Sequence, residues 1–225
     1  MSKITKYTFY LIFITLCACQ KRSESLLAIK NYRSNFQQSI TAWSKGYSNL
    51  KPADTATDTA FTILRANLPT GLDTTAYSLK WTSHNLQKNA IAYIQSEIKG
   101  LNPNHTYQLT FQLQMASAYP ASSDAGSKVY LKAGAISYEP MTNPITGLIN
   151  FDKGLPAEDG RDLYVLGNIA KDANRSGFGI IQRNNLSRPF SIKANSEGKI
   201  WLCIATDSEY FGSSLFSLER IDATS

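Results

Sequence analysis

Thr106-Tyr107-Gln108-Leu109-Thr110-Phe111-Gln112-Leu113-Gln114-Met115 alternates without a break. Tyr107, Leu109, Phe111, Leu113 and Met115 fall on one side of an extended chain; Gln108, Thr110, Gln112 and Gln114 fall on the other. A period of two with one apolar and one polar face predicts a strand lying between a core and water. Leu101-Asn102-Pro103-Asn104 just before it is turn chemistry.

Outward from this stretch the same period recurs less strictly. Ala60–Arg65, Ala76–Thr82, Ala90–Ile98, Lys128–Ala133, Gly147–Phe151, Pro189–Ala194, Lys199–Thr206 and Ser214–Ile221 all read as strands. Asp152-Lys153-Gly154, Glu158-Asp159-Gly160 and Asn195-Ser196-Glu197-Gly198 supply turns between them. No sustained helical stripe, repeat or low-complexity linker interrupts the pattern. About ten short strands with loops of varied length predict an all-β chain. The expected architecture is a single antiparallel β-sandwich over residues 36–225, jelly-roll-like and of the galactose-binding-like type.

The amino terminus reads differently. Lys3 and Lys6 precede an uncharged run from Tyr7 to Ala18. Its twelve residues at about 1.5 Å each reach roughly 18 Å, short of the ~30 Å hydrocarbon core, so the run reads as a secretory signal over residues 1–18. Leu16-Cys17-Ala18-Cys19 resembles the lipobox of bacterial lipoproteins. That resemblance implies cleavage before Cys19, acylation of its thiol and amine, and anchoring in a membrane at ~0.8 kcal/mol per buried CH₂. Residues 19–35 then form the lipidated start and a tether. Lys21-Arg22 stands where surface-export signals of Bacteroidota lipoproteins tend to be acidic, which points to the periplasmic face of an outer membrane.

Charge and cysteine content narrow the functions. The chain has 225 residues with 23 Lys and Arg against 17 Asp and Glu. Loss of residues 1–18 removes two of those lysines, and the remaining excess is spread thinly, which argues against nucleic acid as a partner. Of three cysteines only Cys203 would remain unmodified, inside the apolar run Ile200–Ile204, where it reads as a buried small hydrophobe.

Several phrases in order resemble an uncharacterised family of bacterial secreted β-sandwich proteins. They are Ile98–Tyr107, Val129–Ala135, Glu139-Pro140, Asn150–Gly154, Leu166–Ile169 and Trp201–Ser208. The resemblance spans about Trp43 to Ile221. It implies the sandwich fold and carries no function. Ser83–Gln87 and Glu209-Tyr210-Phe211 depart from that family's pattern.

No HExxH, GxSxG, CxxC, Walker or dinucleotide motif is present, and His84 and His105 stand alone in polar contexts. A non-catalytic binding or structural module is therefore the first reading, with a glycan or envelope protein as partner. A glycan-active hydrolase or lyase using loop carboxylates (Glu139, Asp152, Glu158, Asp159, Asp162, Asp207, Glu209) is the alternative. Asp152 and Asp207 each open a Gly- or Ser-containing turn, where carboxylate and carbonyl oxygens converge as a structural Ca²⁺ requires; each also reads as the cap of its own turn. For stacking on sugar rings the aromatic candidates are Trp43, Trp81, Tyr119, Tyr164, Tyr210 and Phe211, with Tyr119, Tyr210 and Phe211 preferred for their loop positions. Trp201, in an apolar run, reads as core. Asp54-Thr55-Ala56, Asp58-Thr59-Ala60 and Asp73-Thr74-Thr75 resemble the O-glycosylation acceptor of Bacteroidota.

Overall fold

The computed structural model describes residues 31–48, 60–85, 90–171 and 176–224. Cys19, the lipobox and the first two Asp-Thr-Ala triplets up to residue 59 lie outside these. Two antiparallel sheets face each other. The first contains β1 (Tyr32–Ser34), β3 (Phe61–Asn67), β4 (Tyr77–Asn85), β6 (Thr106–Ser117), β9 (Gly179–Asn184), β10 (Phe190–Lys193) and β12 (Gly212–Thr224). The second runs in the order β2 (Ser44–Tyr47), β5 (Ile91–Ile98), β11 (Ile200–Ser208), β7 (Val129–Ile136), β8 (Leu163–Asn168). A single turn of helix, α1 (Asp124–Ser127), precedes β7, and Ser123 caps it by accepting from the Gly126 amide. The chain crosses between the sheets repeatedly, as in a jelly-roll sandwich.

The alternation of residues 106–115 is realised in β6. Leu109, Phe111, Leu113 and Met115 are buried between the sheets, while Gln108 and Gln112 are exposed. β6 is central because β12 pairs along one side and β9 and β10 along the other. Trp81 anchors the core, with Phe61 at 4.6 Å and Phe216 at 5.3 Å between ring centroids. Trp81 is fully buried and Trp43 nearly so, which removes both from the aromatic candidates for ligand contact.

Some elements differ from expectation. β1, expected in the tether, pairs with Ile221–Ala223 of β12, so the sandwich begins before residue 36. β2, β8 and β9 carry too few alternating residues to announce themselves. Gly147–Phe151 is not a strand. It belongs to the β7–β8 connection, where only Thr142 and Ile149 form a bridge.

Candidate functional site

The register of the second sheet arranges its outward-facing side chains in rows. Ile91, Asp207 and Tyr130 form one end row; Gly46, Tyr93, Ala205 and Lys132 follow; then Ser44, Gln95, Cys203 and Gly134; then Glu97, Trp201 and Ile136. The β7–β8 connection folds back across the first three rows. Its Phe151 and Ile149 pack on Ile91, Tyr93, Cys203 and Ala205 as a second apolar cluster, separate from the main core. The Phe151 ring meets Tyr93 edge-on at 5.1 Å, and the Tyr93 hydroxyl lies 3.1 Å from Thr142 Oγ1. Burial under this cover pushes the Tyr93 phenol and the Cys203 thiol upward from their ordinary pKa values.

Lys132 holds the cover in place. Fully buried, it donates to the carbonyls of Lys153 (2.6 Å), Leu155 (2.5 Å) and Glu158 (2.9 Å). Its Nζ also lies 3.2 Å from Asp207 Oδ2, which Lys153 reaches at 2.7 Å. Desolvation outweighs the Asp207 charge and lowers the Lys132 pKa.

The two carboxylates expected to ligate calcium, Asp207 and Asp152, are both engaged by groups of the chain itself. The Asp207 carboxylate is completely buried between two ammonium groups. Its Oδ1 has no hydrogen-bond partner, but the lysines already neutralise the group and a divalent cation beside them would be repelled. Asp152 caps its own turn, accepting from the Gly154 and Arg161 amides at 3.0 Å each, and these bonds hold its carboxyl below the usual range. Among the described residues no group of three or more His, Cys, Asp or Glu gathers to hold a metal.

The preferred loop aromatics also have other work. The Tyr119 hydroxyl accepts from the Leu215 amide at 3.0 Å, and its ring packs against the main core. Tyr210 packs on the same core, and its carbonyl accepts from Asn85 (2.7 Å) and the Ser208 hydroxyl (2.9 Å). Phe211 is 53% exposed, in the β11–β12 turn at the opposite end of β11 from Trp201. Tyr164 is half-buried, with its ring 4.9 Å from Phe190 and the Arg188 guanidinium above it.

In the fourth row Ile136 is buried in the second cluster, and Glu97 and Trp201 stay open. Trp201, read from sequence as core, is half-buried on the outer face. It lies in a polar cleft of about 440 Å³ with Ser44, Gln95, Glu97, Glu139 and Lys199. Glu97 Oε2 is 2.8 Å from Lys99, and Oε1 is 3.6 Å from Lys199, which also pairs with Glu197. The hydrogen bond from Lys99, more than any other influence, pulls the Glu97 carboxyl below its usual range, while Glu197 pushes Lys199 upward. Gln95 is 8% exposed, and its amide oxygen has no partner. A buried amide oxygen without a partner costs about 1–3 kcal/mol. The sequence carried a signal for this site: Trp201 and Glu97 stand at strand positions that alternate with core residues. Two further hollows differ in kind. One of about 200 Å³ between the sheets is lined mainly by apolar groups such as Tyr32, Leu109 and Leu202. The other, about 540 Å³, lies along the β7–β8 connection beside Leu148, Phe151 and Asp159.

No protein-family model matches the chain, and no curated protein matches it in sequence. Solved structures match in architecture. The K1 cleaved adhesin domain of Lys-gingipain from Porphyromonas gingivalis W83 is 8% identical, with 86% of this chain and 97% of that domain covered and a TM-score of 0.43. CBM28, a carbohydrate-binding module specific for non-crystalline cellulose, is 14% identical, with 83% and 89% covered and a TM-score of 0.40. The enzymatically active domain of bacteriophage CBA120 tailspike protein 4 is 10% identical over 82% of this chain, with a TM-score of 0.37, and this chain spans only 20% of its length. At such identities and scores nothing about ligand or activity carries over. The class defined by fold and site together is a β-sandwich with an aromatic, polar cleft on the outer face of its smaller sheet.

Proposed function

We propose that the chain is a lipid-anchored extracytoplasmic lipoprotein whose sandwich binds glycan in the Trp201 cleft without cleaving it. One observation carries the binding site: a half-buried tryptophan in an otherwise polar cleft, beside a buried glutamine whose amide oxygen has no partner. An indole face stacks on the C–H side of a sugar ring, and the surrounding Ser44, Gln95, Glu97, Glu139 and Lys199 offer donors and acceptors to its hydroxyls. The anchor rests on Leu16–Cys19 and the preceding apolar run. On this reading the bilayer is the second partner and the outer membrane the location.

The test is a glycan array probed with detergent-solubilised full chain, followed by calorimetry on the hits. Binding that Trp201→Ala removes, with melting unchanged, is the expected result. An empty array, or hits that survive Trp201→Ala, overturns it. Cys19→Ser should release the chain from membranes on fractionation, and retention of the variant there overturns the anchor. A hydrolase reading has one observation in its favour, since Glu97 and Glu139 line the same cleft. Glycoside hydrolysis pairs one protonated carboxyl with one ionised carboxyl, and the lysines beside Glu97 keep it in the ionised role. Release of reducing ends from any array hit would favour hydrolysis.

A further inference from the structure

The cleft shows an imbalance that concerns the kind of glycan it takes. Its acidic members are Glu97 on β5 and Glu139 on the β7–β8 connection; its basic member is Lys199, just before β11. Lys99 and Glu197 flank it, and the first pairs with Glu97 and the second with Lys199. Lys199 is thus already shared between Glu97 and Glu197. Glu139 is exposed and has no ion-pair partner among the described residues. The Gln95 amide oxygen is a further acceptor without a donor, on a side chain that lines the cleft and is more than nine-tenths buried. With its flanking residues the site sets three carboxylates (Glu97, Glu139, Glu197) against two ammonium groups (Lys99, Lys199), one positive charge short.

Resting on the glycan reading above, we propose that the ligand carries a free, protonated amine: a sugar with an amino group in place of a hydroxyl and no acetyl group on it. An ammonium has three hydrogens to donate. It supplies a charge partner to Glu139, a cation for the electron-rich face of Trp201, and a donor that the Gln95 oxygen, now closed to solvent, can turn to meet. A neutral sugar fills the same space but leaves Glu139 without its counter-charge. An N-acetylated sugar removes the charge and adds bulk. A uronic acid sets a second carboxylate beside Glu139 and Glu97. Net negative lining therefore ranks the ligands as amino sugar, then neutral sugar, then acidic sugar.

Isothermal titration with four oligosaccharide sets of equal length tests this: glucosamine, N-acetylglucosamine, glucose and galacturonate oligomers, each against wild type, Glu139→Gln and Trp201→Ala. Glu139 is on the surface, so its replacement leaves folding intact. The expected result is glucosamine oligomers binding at least tenfold tighter than glucose oligomers. That margin should shrink as salt is raised from 50 to 300 mM, roughly as screening of a partly exposed pair demands. Glu139→Gln should erase most of the margin while weak binding of neutral oligomers persists. Equal or tighter binding of glucose, N-acetylglucosamine or galacturonate oligomers overturns the amine but leaves a glycan site at Trp201. A margin that Glu139→Gln does not change also overturns it. Absence of heat with all four, together with an empty array, overturns the glycan reading itself.

Discussion

Lys132→Met tests the proposition that a buried ammonium, rather than the apolar cluster beneath it, fixes the β7–β8 connection over the second sheet. Methionine is of similar length and keeps the apolar stem. What disappears is a donor to three carbonyls, at 2.6, 2.5 and 2.9 Å, and one of the two cations on Asp207. Hydrogen bonds to a charged group are worth about 1.5–3 kcal/mol each. Simple addition overstates the loss, because the variant no longer has to desolvate an ammonium, and that relief is several kcal/mol. Removing one partner of a buried pair costs about 3–5 kcal/mol, and Asp207 here keeps Lys153, which places the expectation at the lower end, about 3 kcal/mol. For a domain of this size each kcal/mol moves the melting temperature by about 2–4 °C, so the variant should melt roughly 6–12 °C lower. Differential scanning calorimetry measures the loss, and limited proteolysis should find new cuts between residues 150 and 160. The double variant Lys132→Met, Asp207→Asn separates carbonyl capping from ion pairing. If the carbonyls dominate, the double variant is at least as unstable as Lys132→Met. Melting of Lys132→Met within 1 °C of wild type, with the proteolysis pattern unchanged, would refute the reasoning.

Gly134→Ala would drive a methyl carbon to 2.1 Å from the backbone carbonyl oxygen of Asp162, so the start of β8 must move; we expect a loss of stability above 1 kcal/mol in chemical denaturation. Cys203 is fully buried, and burial raises its thiol pKa, so it should resist an aromatic disulfide reagent in the native state and react within minutes in guanidinium. Tyr32 and Tyr93 have phenol pKa values raised first of all by burial. Their contribution to stability is complete below the unfolded value of about 10 and is lost as pH rises through the folded values. Melting temperature should therefore fall steeply above pH 10, together with a delayed rise in phenolate absorbance; an absorbance titration in which every tyrosine ionises near pH 10 with melting unaffected would contradict this.

How much of this architecture can be read from the chain depends on what lies on each face of a strand. β6 was legible residue by residue because its inner face meets the core and its outer face meets water. β7 and β11 were harder. The β7–β8 connection covers most of their outer face, so Val129–Ile136 and Ile200–Ser208 are buried on both sides and run almost continuously apolar. Inside such a run the two faces cannot be told apart, and Trp201 accordingly reads as core. The same covering hid the meaning of Asp207, which reads as a turn residue at the end of a strand until Lys132 and Lys153 are found against it. One signal was available. Lys132 is a charge inside an apolar run, and a buried lysine of that kind is rarely found without an acidic partner. The β1 pairing was illegible for another reason: three residues beside a tether carry no period.

The position of the cleft follows from where the cover stops. Phe151 and Ile149 occupy the rows of Tyr93 and Cys203, Thr142 reaches the Tyr93 hydroxyl, and the connection contributes only Glu139 to the boundary of the Trp201 row. In the Trp201 row the second cluster already takes in Ile136; had the cover reached one strand further along that row, Trp201 would join it and the cleft would close. Had it stopped one row sooner, Cys203 and Gly134 would lie open, presenting a thiol and a bare backbone instead of a shaped wall. The cover is pinned at its far end by Lys132, two rows from Trp201, so the cleft wall at Glu139 and the buried ammonium belong to one mechanical unit. A perturbation at Lys132 should consequently weaken ligand binding as well as stability, although Lys132 does not line the cleft. Loss of melting temperature in Lys132→Met with glycan affinity intact would show that the first residues of the connection, 137–142, hold their place without the rest of the cover.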